Sequence, residues 1–231
     1  MPIFTRLDDI QKLQQNSYER LEGHLNTNYN FYFNPKKPNS KNIEHRKRIA
    51  KFIADIRSNI KPGLGYDISR NIVTFKNKEK LDENSELSNI NTDTKISIKM
   101  SLWQFIREWQ PFQEALSAAA KINNIVIEST SANQDECDIH INGFVSNQVD
   151  QSGNWSFLMT DNNLLGQFES EILNKKTLEN HDDIHTTVLK NYFAIPLLKE
   201  KFALFTSDRI SYPHFNPFDM RVRFYEMKWN H

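Results

Sequence analysis

Cysteine is almost missing from these 231 residues: Cys137 stands alone. No disulfide can form within the chain, and a reducing compartment is the expected setting. Glycine is also scarce, at six, which argues against folds built on phosphate-cradling loops. Pro62-Gly63-Leu64-Gly65 carries two glycines but is followed by neither a third nor a Lys-Ser/Thr pair. No Gly-x-Ser-x-Gly elbow occurs. Net charge is absent too, with 29 basic against 29 acidic residues, so the surplus of positive charge that drives binding to nucleic acid or a membrane surface is lacking. No apolar run approaches the roughly 18 residues of a spanning helix, and Met1 to Arg6 leads into no apolar stretch of the signal-peptide kind. These absences predict a cytoplasmic chain with no cofactor.

Aromatic residues, by contrast, are plentiful: they make up 12% of the chain and include 16 Phe. Such rings fill cores and also concentrate where partners touch. The stretch from Ser101 to Val145 is the expected nucleus. Ser101-Leu102-Trp103-Gln104 has the form of a capping box. Leu102, Phe105, Ile106 and Trp109 then recur at helical spacing. Pro111 interrupts the run because it lacks an N–H for the preceding turn, and Phe112 to Lys121 resumes it. Ile125 to Ile127 and Asp138 to Ile141, the latter leading to Gly143-Phe144-Val145, read as strands.

Elsewhere, residues 3–25 have helical periodicity, and Asn26 to Ser40 reads as turn chemistry around Tyr29, Phe31 and Tyr32. Ile43 to Ile60 is a clear amphipathic helix, ended by Lys61-Pro62-Gly63. Ile72 to Phe75 suggests a strand and Lys76 to Thr94 a polar loop. Gln148 to Asn154 has the composition of a linker, with a strand at Trp155 to Met159 beyond it. Leu164 to Leu173 and Asp182 to Leu198 read as helices, Phe202 to Phe205 as a short strand, and Tyr212 to Pro217 as a rigid turn. Met220 to Met227 alternates like a terminal strand. The expected fold is α+β, with several amphipathic helices packed on a small, mainly antiparallel sheet. Residues 1–147 would form a helical N-terminal part plus an α+β core, and residues 154–231 a C-terminal α+β part.

Candidate chemistry is thin. His181 and His185 sit four apart, a spacing that presents two imidazoles on one helix face and suits zinc in a hydrolase. No third ligand is visible, and Asp182 and Asp183 complement the dipole of a first helical turn. Cys137 and His140 are three apart, which on a strand points them to opposite faces. Asp135, Glu136 and Asp138 fit a solvated turn as well as a magnesium site. Lys36, Lys37, Lys41, Arg46, Lys47, Arg48, Lys51 and Arg57 form a basic patch, offset by Glu44 and Asp55. With Tyr29, Phe31 and Tyr32 stacking on bases it would suit nucleic acid, but the neutral total favours an acidic protein partner.

One resemblance follows from element order. The helix at Ile43 to Ile60, then Pro62-Gly63-Leu64-Gly65-Tyr66-Asp67-Ile68, a helix carrying Ile106-Arg107-Glu108-Trp109-Gln110-Pro111, and strands ending Ile139-His140-Ile141-Asn142-Gly143 together resemble the lysozyme-like baseplate wedge family. Those are subunits of contractile tails and type VI secretion systems. Gln110-Pro111-Phe112 stands where that family has Glu-Pro-Arg, and the likeness covers under half the chain. It implies a non-enzymatic, structural or adaptor subunit acting through protein-protein contacts. The expected partners are other protein subunits of the assembly, not nucleic acid or a small-molecule substrate. The contacts would come from Arg46, Lys47, Arg48 and Lys51, and from edge strands carrying Ile139, Ile141 and Phe144 in one case and Phe224 in the other. The readings of another class are a metal-dependent hydrolase using His181 and His185, and a nucleic-acid binder using the 36–57 patch.

Overall fold

The computed structural model describes residues 18–60, 66–73, 87–131, 133–146, 150–174, 177–207, 210–211 and 228–229. The strands are β1 (Tyr18–Phe33), β2 (Tyr66–Ile68), β3 (Ile96–Ser101), β4 (Ile125–Ser131), β5 (Ile139–Val145), β6 (Ala194–Ser207), β7 (Ile210–Ser211) and β8 (Lys228–Trp229). The helices are α1 (Ile43–Asn59), α2 (Gln104–Glu108), α3 (Gln110–Ile122), α4 (Gln151–Thr160), α5 (Glu169–Leu173) and α6 (His181–Lys190). The expected α+β class holds. The sheet, however, is mixed and not mainly antiparallel: its six strands run β2-β6-β1-β5-β3-β4. β6, β1 and β5 are joined antiparallel, whereas β3 runs parallel to both β5 and β4.

The backbone of the sheet is β1, and it corrects the largest misreading. The periodicity taken for a helix over 3–25 lies in strand from Tyr18 onward, and residues 1–17 fall outside the described region. The turn chemistry expected from Asn26 is strand as far as Phe33. Only Asn34 to Lys37 turns, followed by a 3-10 turn at Pro38–Lys41. Tertiary partners explain the reversal. Phe31 and Phe33 enter an apolar cluster with α1 and α3, while Tyr32, on the opposite face, packs among residues of α4, α5 and α6. Asparagine's turn preference is overruled because its side chains find fixed partners inside. Asn30 Nδ2 donates to the Ile72 carbonyl (3.0 Å) and to the Tyr32 hydroxyl (3.1 Å), and Asn28 Oδ1 accepts from Ser69 Oγ (3.0 Å).

The helix α1 forms as expected and is capped by the Asn42 side chain, which accepts from the backbone N–H of Glu44 and His45. Its stripe of Ile49, Phe52, Ile53 and Ile56 is fully buried. The capping box does not form: Ser101 ends β3, and Trp103 precedes α2 without a side-chain cap. Pro111 falls in the first turn of α3, where its missing N–H costs nothing, so it opens a new helix. Trp155 to Met159, expected as strand, lies in α4, which starts where Asp150 accepts from the Gly153 N–H (2.7 Å). Residues 151–154 of the expected linker belong to that helix. The helix expected over Asp182 to Leu198 stops at Lys190. Asn191 and Tyr192 turn the chain, the latter with φ 54°, and β6 begins at Ala194. Ile72 and Val73 form a bend, and Phe75 lies outside the described residues, as do Tyr212 to Pro217 and Met220 to Met227.

Candidate ligand-binding face

β1 and β6 continue past the other strands as a two-stranded ribbon, Tyr18 to His24 paired with Lys201 to Ser207. The register slips between His24 and Asn28, so β1 bulges where the ribbon leaves the sheet. Beside that bulge lie Thr27, Tyr29, Tyr66 and Glu200. Glu200 pairs with Tyr66 across β6 and β2, and the hydroxyls of Thr27 and Tyr29 lie beside it. Burial raises the Glu200 pKa, and these two hydroxyls partly oppose the shift. Burial, with the Glu200 charge added, holds both tyrosines protonated well above their ordinary range.

Three further rings surround Tyr29 and Tyr66. Tyr29 meets Trp103 edge-on at 5.5 Å and Phe105 at 5.6 Å, while Tyr66 stacks on Phe105 at 5.6 Å and touches Trp109 at 5.7 Å. Close approach depends on Gly143, opposite Tyr29 in the β1–β5 register. A Cβ there would stand 2.9 Å from Tyr29 Cε1 and 3.2 Å from Trp103 Cη2. The rim of this mouth is apolar and open: Trp103 is 38% exposed and Val145 48%. On the other face of the sheet, Phe157 stacks on Phe144 at 5.7 Å and is exposed as well. An aromatic floor, a buried carboxyl and an accessible indole form a surface suited to holding an apolar or cationic part of a small solute.

Most of the residues expected to meet partners are elsewhere and occupied. Ile139 and Ile141 are fully buried, and β5 lies between β1 and β3, with β3 paired to Ile139 and His140. Phe224 lies outside the described residues. Arg46 is buried against the stacked Phe168 and Phe193 rings (5.2 and 4.8 Å to the centroids) and donates to the carbonyls of Ser40 and Asn191, both at 2.9 Å. Arg48 is buried as well and donates to the carbonyls of Thr92, Thr94 and Asn123. Lys47 pairs with Glu44 at 2.9 Å and Lys51 with Asp55 at 3.2 Å, each within α1. Phe31 and Tyr32 are fully buried in the core and Tyr29 lies against Trp103 and Phe105, so the three do not form the expected base-stacking platform.

His181 and His185 both lie in α6, one turn apart. His185 is buried in α6, its Nε2 accepting from the Ile72 N–H (3.4 Å) and its ring tilted against Trp155 at 6.1 Å. Among the described residues no group of three His, Cys, Asp or Glu side chains is placed to hold a metal. Cys137 is buried, and its carbonyl accepts from Asn34 Nδ2 (2.7 Å). His140 stacks on Tyr32 at 5.9 Å, and burial lowers its pKa to about 4. The three acids diverge: Asp135 to Lys36, Glu136 to Asn133, and Asp138 to the Lys99 N–H. The mouth itself went unread because its members come from five separate stretches of chain. The signal that could have pointed to it was Gly143 among few glycines, following an apolar strand.

No protein-family model matches the chain, and no curated protein does. Solved structures do. The chain superposes on NikA from Brucella suis in complex with Fe(III)-EDTA with TM-score 0.72 and 11% identity, covering 96% of this chain and 55% of that one. An ABC transporter substrate-binding protein from Sinorhizobium meliloti matches with TM-score 0.70 and 14% identity, covering 97% and 55%. MppA, a periplasmic murein tripeptide binding protein in its unliganded open form, matches with TM-score 0.67 and 13% identity, covering 96% and 51%. The chain has the fold of about half of a substrate-binding protein. The resemblance to baseplate wedge subunits is thereby overturned, and with it the structural adaptor of a tail or secretion machine. The expectation against a small-molecule ligand falls too, since these neighbours are solute binders.

Proposed function

We propose that this chain captures a small solute at the aromatic mouth, as part of a substrate-binding protein, and performs no chemistry on it. The observation that carries the reading is the convergence of Trp103, Phe105, Tyr29 and Tyr66 above the buried Glu200 carboxyl, at the point where β1 and β6 leave the sheet. Binding sites of this kind combine apolar walls with a few fixed polar groups. The solutes named for the neighbours, a murein tripeptide and a chelated iron, set the class to try first: short peptides and metal chelates. A setting outside the cytoplasm accompanies this role, in place of the cytoplasmic one expected from composition. It is supported by the periplasmic binding protein among the neighbours, and no helix among the described residues is long and apolar enough to cross a membrane.

The test is tryptophan emission titrated with di- and tripeptides and with iron and nickel chelates, comparing the wild type with Trp103→Phe. A saturable change that depends on Trp103 supports the reading. Saturable binding that leaves Trp103 emission untouched, or no saturable binding with either class, removes it.

A further inference from the structure

Glycine inside a strand weakens it and marks a bulge, a bend or a close approach. Gly143 lies within β5, and the β1–β5 register runs unbroken through it, so no bulge accounts for it. Nor does the backbone, since no glycine among the described residues has a positive φ. Space accounts for it. Gly153 and Gly166 are crowded by nearby chain, the Asp150 side chain and the Met159 carbonyl. Gly143 is crowded instead by rings from β1 and from the turn between β3 and α2, with a Cβ placed 2.9 Å from Tyr29 Cε1 and 3.2 Å from Trp103 Cη2. We infer that Gly143 sets the size selection of the mouth, by letting the Trp103 indole lie down on β5. This role presupposes solute capture at the mouth, and it favours short peptides with small side chains over bulky ones.

Of the two rings, Trp103 is the one that can move. Tyr29 is buried and held edge-on by Tyr66 at 5.8 Å and Phe105 at 5.6 Å. Trp103 is exposed, and its atom nearest Gly143 is at the far end of the indole. Its backbone is fixed, because its carbonyl accepts from the N–H groups of Ile106 and Arg107, both at 3.1 Å. Only the side chain can swing. The indole stands at 87° to Tyr29 and at 81° to Phe105, and these two stand at 70° to each other. Three nearly perpendicular rings in edge contact make a corner, of which Trp103 is the outer wall. With glycine at 143 the indole tip closes that corner against β5. A side chain there props the indole outward, which opens room for a larger solute and withdraws wall from a small one.

The test uses the full chain labelled with fluorotryptophan, the Trp103 fluorine peak being assigned by its loss in Trp103→Leu. Without ligand, Gly143→Ala should increase the solvent-isotope shift of that peak, because the indole is lifted into water. Calorimetry with glycylglycine and glycylphenylalanine then reads size selection. The wild type should prefer the smaller dipeptide, and Gly143→Ala should move the ratio of the two affinities about tenfold towards the larger. Tyr29 yields poorly, so Gly143→Ala endangers folding. Trp103→Leu keeps the glycine, removes the indole tip and should move the ratio the same way. Adding Gly143→Ala to Trp103→Leu should change the ratio no further. A Trp103 peak unaffected by Gly143→Ala, a ratio unchanged in the single variants, or a shift that persists in full in the double variant overturns the proposal. Absence of binding by the wild type is distinguishable from these. It overturns peptide capture at the mouth, and the fluorine peak alone then supports or overturns the seating of Trp103 on Gly143.

Discussion

The two faces of β1 are built on opposite principles. One presents Tyr29, Phe31 and Phe33 to α1 and α3, an apolar cluster whose stability grows with buried area. The other presents Asn28, Asn30 and Tyr32, buried polar groups held by hydrogen bonds to one another and to residues 69–72 and by packing against α4 and α6. The first face tolerates changes of shape in proportion to volume. The second is all-or-none, because a buried polar group without its partner costs more than the bond was worth. The sheet thus divides its work: bulk cohesion on one side, positional definition on the other.

The largest expected effect comes from the apolar face. Phe31→Ala should cost about 3–5 kcal/mol in urea unfolding, since a fully buried ring is replaced by a cavity. A loss under about 1 kcal/mol would show that this face is not where cohesion resides. Next comes Arg46, which reaches from α1 to the Phe168–Phe193 stack beyond the sheet. Arg46→Ala should cost about 2–3 kcal/mol by the same assay, the scale of hydrogen bonds to a charged group.

The polar face should respond to acid. Burial holds His140 neutral, with its pKa at about 4 against an ordinary 6.5. The unfolded chain therefore binds more protons between these values. The stabilisation is complete above pH 6.5 and is lost as pH falls towards 4. Between pH 7 and pH 5 the loss should be about 2 kcal/mol, and His140→Phe should flatten that slope. Asn30→Ala should cost about 1–3 kcal/mol by stranding the Ile72 carbonyl, whereas an outcome near zero would mean the two faces follow one rule after all. The smallest effect belongs to the rim: Val145→Ser, at a half-exposed position, should change stability by no more than about 0.5 kcal/mol while weakening solute capture at the mouth.

The residues themselves announced α1, through its clean apolar stripe, and announced β4 through a short apolar run and β5 through alternation. They also marked the interruption at Pro111. They concealed β1, because asparagine at every second position spells turn to any local reading; only partners more than 40 residues away, Ser69 and Ile72, make those amides at home in a strand. Arg46 and Arg48 were counted as surface charge for a similar reason. Their acceptors are backbone carbonyls, most of them in distant segments, which no side-chain pattern reveals. The mouth was hidden for a third reason: it exists only once β1, β2, β5 and β6 are side by side.

The ribbon formed by β1 and β6 acts on the mouth as a long arm does on its pivot. Seven residues of extended chain reach about 24 Å beyond the bulge, and a twist of about 10° at Thr27 and Glu200 displaces the far end by about 4 Å. The converse holds as well. Whatever grips the outer end would act on the proposed solute site through this lever, since both belong to the same pair of strands.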